Sequence, residues 1–514
     1  MGKKPAVLMI LNGIGISEEK EGNAFYKANT KNIDALMKEY PHSKGLSSGM
    51  AAGLSNGQPG NSEAGSENIG AGRIVYQDII RIDKEIKDGS FFENKVLLNV
   101  IRSAKRKDAG LHIMGLLSDG GVHSHNEHLY ALLELARREG MTKVYVHVFT
   151  DGLDSAPGSG EDYIEKLESK MREMGTGQIA SVSGRFYAMD RDNNYDRIKL
   201  VYAAMTQGEG YKTANAYDAI HGAYQRGESD ENVTPSVIVN GGIPVGTVID
   251  DDSVIFFNFR SDRAIELSRA FCDDEFRAFK RDKKLDINFC CFTDYDPGIE
   301  NKHVVFESEA VPMTFGEWIA EKGMTQARIG ESETFSDISR FFNCGIKEAF
   351  EKETRLIIKS KKDAEGYARI PQMSSHEVCD KLVEAIKSGK YDVIITNFPN
   401  ADLLGHGGDI KACIKAVETV DECVGRASAA IKEADGVMLI CSDHGNVEEL
   451  IDKKSGMKNT MHTRNPVPYI LVNHNPEYSL KEGGCLCDIV PTLIDAMGMQ
   501  KPHEMTGKSL LWKE

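Results

Sequence analysis

Asp402, His406, Asp443, His444 and His462 lie close together in the last quarter of the chain and could bind a metal. Asp402-x-x-x-His406 sets a carboxylate and an imidazole one helical turn apart, so both share a face and could hold one cation. Asp443-His444-Gly445-Asn446 reads as a tight turn that can aim adjacent acid and imidazole groups at one point. His462 stands in Thr-Met-His-Thr-Arg-Asn-Pro-Val-Pro. Taken singly, these residues could be a surface hydrogen bond, a turn and a structural histidine. Taken together, their mixed nitrogen and oxygen donors suit Mn²⁺ or Zn²⁺.

A second kind of chemistry is suggested by Gly57-Gln-Pro-Gly-Asn-Ser62-Glu-Ala-Gly65. Flanking glycines let a ligand approach the backbone closely. Ser62 could then be a nucleophile, if a base or metal activates it. The plainer reading is a capped turn, with Asn61 or Ser62 opening a helix at Glu63. Arg185, Arg191, Arg260 and Arg263 form a third set, in Ser-Gly-Arg185, Asp-Arg191-Asp and Asn258-Phe-Arg-Ser-Asp-Arg263. Guanidinium forks match phosphate and carboxylate oxygens; they can equally pair with the aspartates beside them.

These groups need a scaffold, and the apolar runs predict one. Ala6–Leu11, His112–Leu117, Val144–Thr150, Val254–Asn258, Val393–Asn397 and Val437–Cys441 read as buried parallel strands. Helical patterns cover Glu127–Arg138, Glu161–Met174 and Ile410–Ala434. The alternation predicts an α/β fold with one or two mainly parallel sheets. Asn12, Asp119, His123, Asp151, Asp154, Asp402, His406, Asp443 and His444 follow strand ends, and ligands bind at that edge of open α/β sheets.

Composition narrows the function. The formal net charge of −16 argues against a nucleic-acid partner, which needs a basic footprint. An arginine-lined cleft could still bind an anion. No apolar run approaches the roughly 20 residues of a membrane helix. The N-terminus lacks a signal-peptide cleavage pattern, so a cytoplasmic protein with no membrane partner is expected. The cysteines, all after residue 271, show no Cys-x-x-Cys spacing and read as reduced core residues.

Several strings resemble cofactor-independent (2,3-bisphosphoglycerate-independent) phosphoglycerate mutases of the alkaline phosphatase superfamily. They include Glu21-Gly-Asn-Ala, Gly60-Asn-Ser-Glu, Asn68-Ile-Gly-Ala-Gly-Arg73, Ser118-Asp-Gly-Gly-Val-His123, Val182-Ser-Gly-Arg185, Ala188-Met-Asp-Arg-Asp-Asn193, Asn258-Phe-Arg-Ser-Asp-Arg263, Asp443-His-Gly-Asn446 and Asn465-Pro-Val-Pro. The resemblance runs in order from about residue 5 to 511. It implies an alkaline-phosphatase-like metal-binding domain of residues 1–76 and 310–514. An inserted α/β phosphotransferase domain would span 77–309. The implied reaction moves the phosphoryl group of 3-phosphoglycerate through a phosphoserine to give 2-phosphoglycerate, with two Mn²⁺ ions. By position, Asp402, His406 and His462 would hold one ion. Ser62, Asp443 and His444, with Asn12, would hold the other. His123 would join Ser62 in catalysis, and Asp154, Arg185, Arg191, Arg260 and Arg263 would bind substrate. The implied partner is a small phosphorylated hydroxy acid, and the chain is expected to act as a monomer.

The resemblance breaks at the site itself. Asn12 stands where the family has Asp, Thr334 where it has Lys, Leu153 where it has Arg and Ser66 where it has His. The family's tryptophan after the first strand is Ile14. A neutral Asn12 weakens attraction for a divalent cation, so the ion beside Ser62 is expected to bind more weakly than its neighbour. Three outcomes stay open: phosphoglycerate mutation, phosphotransfer on another small phosphorylated or phosphonylated hydroxy acid, or phosphoglycerate binding without catalysis.

Overall fold

The apolar runs form strands buried on both faces, and alternate residues serve two cores. In Ala6–Leu11, Val7, Met9 and Leu11 pack on one side of the sheet, and Ala6, Leu8 and Ile10 on the other. The period of two lets one short strand feed both layers of helices. A computed structural model describes residues 3–307, 310–361, 367–452 and 456–513. The chain divides into two compact units, Met1–Gln77 with Ala310–Glu514, and Asp78–Glu309.

In the first unit, among the described residues, eight strands form one sheet. Ala6–Leu11 lies inside it, paired in parallel with Val393–Phe398 on one side and Val437–Cys441 on the other. Leu11 is level with Phe398, and Ile10 with Cys441. The three carboxyl ends therefore finish together, and the residues after them share one edge. Val467–Val472 joins antiparallel beside Val437–Cys441 and brings the chain back past that edge.

The second unit has its own sheet, with Leu111–Leu117 between Ser253–Phe256 and Val144–Thr150, all parallel. Gln178–Gly184 follows in parallel beside Val144–Thr150. Leu111 and Ile113 face one core, Met114 and Leu116 the other. A buried polar chain crosses these strands. His112 Nε2 meets Asp252 Oδ2 at 3.1 Å, His112 Nδ1 meets His147 Nε2 at 2.9 Å, and His147 Nδ1 meets Ser181 Oγ at 2.8 Å. Each buried group has a partner, as interiors require.

Several expected boundaries shift by a residue or two, and two of the shifts have a side-chain cause. The strand expected to reach Asn258 stops at Phe256, because the Asn258 side chain takes over: its Oδ1 accepts from Leu116 N at 3.0 Å. The helix expected from Glu63 begins at Ser62, and Asn61 is its cap, accepting from Ala64 N at 2.8 Å.

Candidate metal and phosphate site

At the shared edge of the first unit, each strand end delivers a polar group. Asn12 follows the Ala6–Leu11 strand. Gly13 turns the chain at φ +80°, and a Cβ there would lie 2.6 Å from the Asp402 backbone. That closeness lets Asp402 N donate to Asn12 O at 3.1 Å. Asp402 and His406 lie on helix Asn400–Gly407, one turn apart as the spacing predicts. Asp443 and His444, both fully buried, follow Val437–Cys441.

Asp402, His406 and His462 bring one ligand atom each within 4.8 Å of one another. Asp402 Oδ1 is 3.4 Å from His406 Nε2 and 3.1 Å from His462 Nε2. The backbone fixes both rings. His406 Nδ1 meets Thr460 O at 2.9 Å and His462 Nδ1 meets Gly60 O at 2.8 Å. With each Nδ1–H donated to a carbonyl, both Nε2 lone pairs turn inward, 3.0 Å apart. Lone pairs that close repel unless a proton or cation lies between them, so this donor set fits a divalent metal. Burial opposes ionisation of Asp402, but with a proton on the imidazoles in place of a metal, hydrogen bonds from His406 and His462 outweigh it and hold its carboxyl well below the usual range.

Ser62 sits beside this set. Its Oγ is 3.0 Å from His444 Nε2, while His444 Nδ1 faces Gly445 O at 3.3 Å. The imidazole therefore accepts from the serine hydroxyl. His444 stacks on His462 with centroids 3.9 Å apart, which joins the two ligand groups. Asp443 Oδ2 accepts from Asn12 Nδ2 at 2.6 Å, and its Oδ1 accepts from Gly13 N and His444 N.

In the second unit, five of the six expected residues form one polar network. Arg185, 3% exposed, donates to Asp151 Oδ1 and Asp154 Oδ2, both at 2.6 Å. Arg191 and Arg260 both hold Asp262, at 2.8 and 3.0 Å. His123 lies between these groups, with Nε2 3.9 Å from Asp154 and Nδ1 3.7 Å from Asp262. Arg263 instead donates to Met189 O at 3.1 Å. Leu153 projects from the Asp151–Asp154 loop and is 59% exposed. Three of the four arginines are thus paired with aspartates, and Arg191 and Arg260 already grip a carboxylate.

Burial, with Arg185 next, pushes His123 down to about 4, against the pull of Asp262 and Asp154. His123 is therefore neutral at neutral pH. The unfolded chain takes up this proton near 6.5 while the folded one resists until about 4. Folding stability from this group is present above that window and is lost as pH falls through it. His123→Asn should flatten the decline by up to about 1.4 kcal/mol per pH unit. Urea unfolding from pH 7 to 4.5 checks this; equal slopes for variant and wild type would refute it.

Comparison with known proteins identifies the family. Residues 82–297 match the family described as BPG-independent PGAM N-terminus. A protein of Lachnoclostridium phytofermentans named 2,3-bisphosphoglycerate-independent phosphoglycerate mutase is 54% identical, covering 100% of both chains. The chain belongs to this mutase family. A Clostridium perfringens protein of the same name is 50% identical, again covering 100% of both chains. A crystal structure of Leishmania mexicana phosphoglycerate mutase at low cobalt concentration is 28% identical with a TM-score of 0.66. It covers 100% of this chain and 98% of that one. Among the described residues, no helix is long and apolar enough to cross a membrane.

Sequence reasoning missed three residues in this mutase-family site. Glu448, fully buried, accepts from Gly15 N, Asn446 N and Asn465 Nδ2, and so ties the loops behind the ligands. Asn397 Nδ2 donates to Asn12 Oδ1 at 3.1 Å and to Thr334 Oγ1 at 3.2 Å. Asp337 Oδ2 lies 3.4 Å from Asn12 Nδ2. Burial, then Asp443 and Asp402, push the Asp337 carboxyl up to about 8. Each is a lone polar residue in a loop, in a short helix or at a strand end, with no spacing to mark it.

Proposed function

We propose that this chain interconverts 3-phosphoglycerate and 2-phosphoglycerate through a phosphoserine at Ser62, with two divalent ions, Mn²⁺ by donor type. The carrying observation is the serine hydroxyl 3.0 Å from His444 Nε2, beside two backbone-fixed imidazoles and two buried carboxylates. Asp402, His406 and His462 would hold one ion, and Ser62, Asp443 and His444 the other. Bound there, the ions lower the pKa of the serine hydroxyl and stabilise phosphoryl charge.

The residues do the rest by position. The Ser62 Oγ–P bond forms as the substrate O3–P bond breaks, and the serine proton ends on O3. In the return step the O2–P bond forms as the Ser62 Oγ–P bond breaks, and the O2 proton ends on Ser62 Oγ. Arg185, Arg191, Arg260 and Arg263, with Asp154, orient the glycerate. Neutral His123 can accept and return a proton. The chain would act in glycolysis, in the cytoplasm.

One observation favours a second reading of the substrate. Leu153 offers an exposed apolar side chain in the arginine-lined loop, which suits a related phosphorylated or phosphonylated hydroxy acid. An enolase-coupled assay on Mn²⁺-loaded protein tests both. Turnover of about 1–10³ s⁻¹ on 3-phosphoglycerate is expected. Folded, metal-loaded protein without turnover on it would refute the mutase reading, and turnover only on a related acid would establish the second.

A further inference from the structure

Asn12 poses a problem for the ion beside Ser62. Its carboxamide carries no charge, and both of its ends are engaged. The oxygen accepts from Asn397 Nδ2 at 3.1 Å. The nitrogen donates to Asp443 Oδ2 at 2.6 Å and lies 3.4 Å from Asp337 Oδ2. One NH₂ group thus stands between two carboxylates that arrive from different directions. Asp443 comes from the Val437–Cys441 strand end. Asp337 comes from the short helix Phe335–Ile338, which follows strand Gln326–Glu331.

Both acids are buried, Asp443 at 0% and Asp337 at 6% exposure. Among the described residues no lysine or arginine pairs with either. Buried carboxylates need a positive partner, a metal or a proton. A neutral amide supplies donors but not charge. Among the described residues, the imidazole that pairs with Asp443 is His444, at 3.5 Å, and its Nε2 lone pair faces Ser62 at 3.0 Å. Asp443 thus meets the Asn12 amide on one side and His444, next to Ser62, on the other, while Asp337 reaches the same amide nitrogen from the short helix. That donor set, hard oxygens with one nitrogen, suits Mn²⁺.

We propose that Asp337 is a ligand of the ion beside Ser62, supplying the carboxylate that Asn12 does not. This rests on the two-ion reading above. It reverses the expectation of a weak second ion, because Asp443 and Asp337 together match a divalent charge. The Asn12 amide would move aside and act as a hydrogen-bonding neighbour.

The test reads metal binding, not turnover. Metal-free full-length protein is titrated with Mn²⁺ and followed by electron paramagnetic resonance. Wild type is expected to bind two ions. Asp337→Asn, which keeps shape and size, is expected to bind one, with the other weakened at least about tenfold. Asp402→Asn should lose the opposite ion. Because Asp337→Asn could disturb the fold, the double variant Asn12→Asp with Asp337→Asn provides the control: it should regain the second ion. Two ions of wild-type affinity in Asp337→Asn would overturn the proposal, as would a wild type that binds only one, or a double variant that fails to recover while folded. Mutase activity is scored separately. An inactive wild type with an Asp337-dependent second ion would defeat the functional reading and leave this one standing.

Discussion

Replacing Ser62 with alanine should abolish phosphoryl transfer, a loss on the order of 10⁶-fold, the scale for removing a nucleophile that works as part of a unit. The reasoning is geometric. Among the described residues, Ser62 is the hydroxyl that faces His444 Nε2. The fold should survive the change, because Asn61 and not Ser62 caps the helix Ser62–Ala71. A first-turn alanine is well tolerated in a helix. Enolase-coupled kinetics with a thermal unfolding curve for each protein separates lost chemistry from lost structure. Turnover within tenfold of wild type in folded Ser62→Ala would remove Ser62 from the mechanism.

Arg185→Met is expected to have the largest effect on stability, about 3–5 kcal/mol, the cost of stripping one partner from a buried ion pair. Arg185 and Asp151 side chains are 2% and 1% exposed, and Asp154 is 16% exposed. Without the guanidinium, two carboxylates are left facing each other with Ser118 Oγ as a neutral donor to Asp151 at 2.6 Å. Methionine fills much of the volume, so the loss reports charge and hydrogen bonding more than a cavity. Adding Asp151→Asn should recover part of it, since the pair is coupled. Urea unfolding of the three proteins measures this. A loss under 1 kcal/mol in Arg185→Met would mean that the network is not held by this residue. Such a result would also weaken the view that Arg185 is prepaid in position for a substrate anion.

Much of this was legible in the chain because the signals were periodic or clustered. Ala6–Leu11 and Val144–Thr150 appear with the bounds their apolar runs predict. Asp402 and His406 do share a helical face, and Asp443-His444 does follow a strand. The pairing of arginines with neighbouring aspartates, weighed against ligand binding, also appears: Arg191 and Arg260 converge on Asp262. Asp337 was not legible, because a single acid in Phe335-Ser-Asp337-Ile carries no pattern until tertiary structure sets it 3.4 Å from Asn12. Glu448 is similar; its value lies in three loops that meet around it. The strand His42–Leu46 and the edge strand Gly484–Cys485 were also silent, since short strands with glycine and polar residues lack the apolar run that marks a parallel interior strand.

The most direct test of the central claim is a rapid-quench experiment with Mn²⁺-loaded protein and ³²P-labelled 3-phosphoglycerate, followed by mapping of the labelled peptide. The account predicts transient label on Ser62 that forms and decays at rates no slower than turnover, and no label in Ser62→Ala. Turnover at the wild-type rate with no label on Ser62, or with label on another residue, would contradict it.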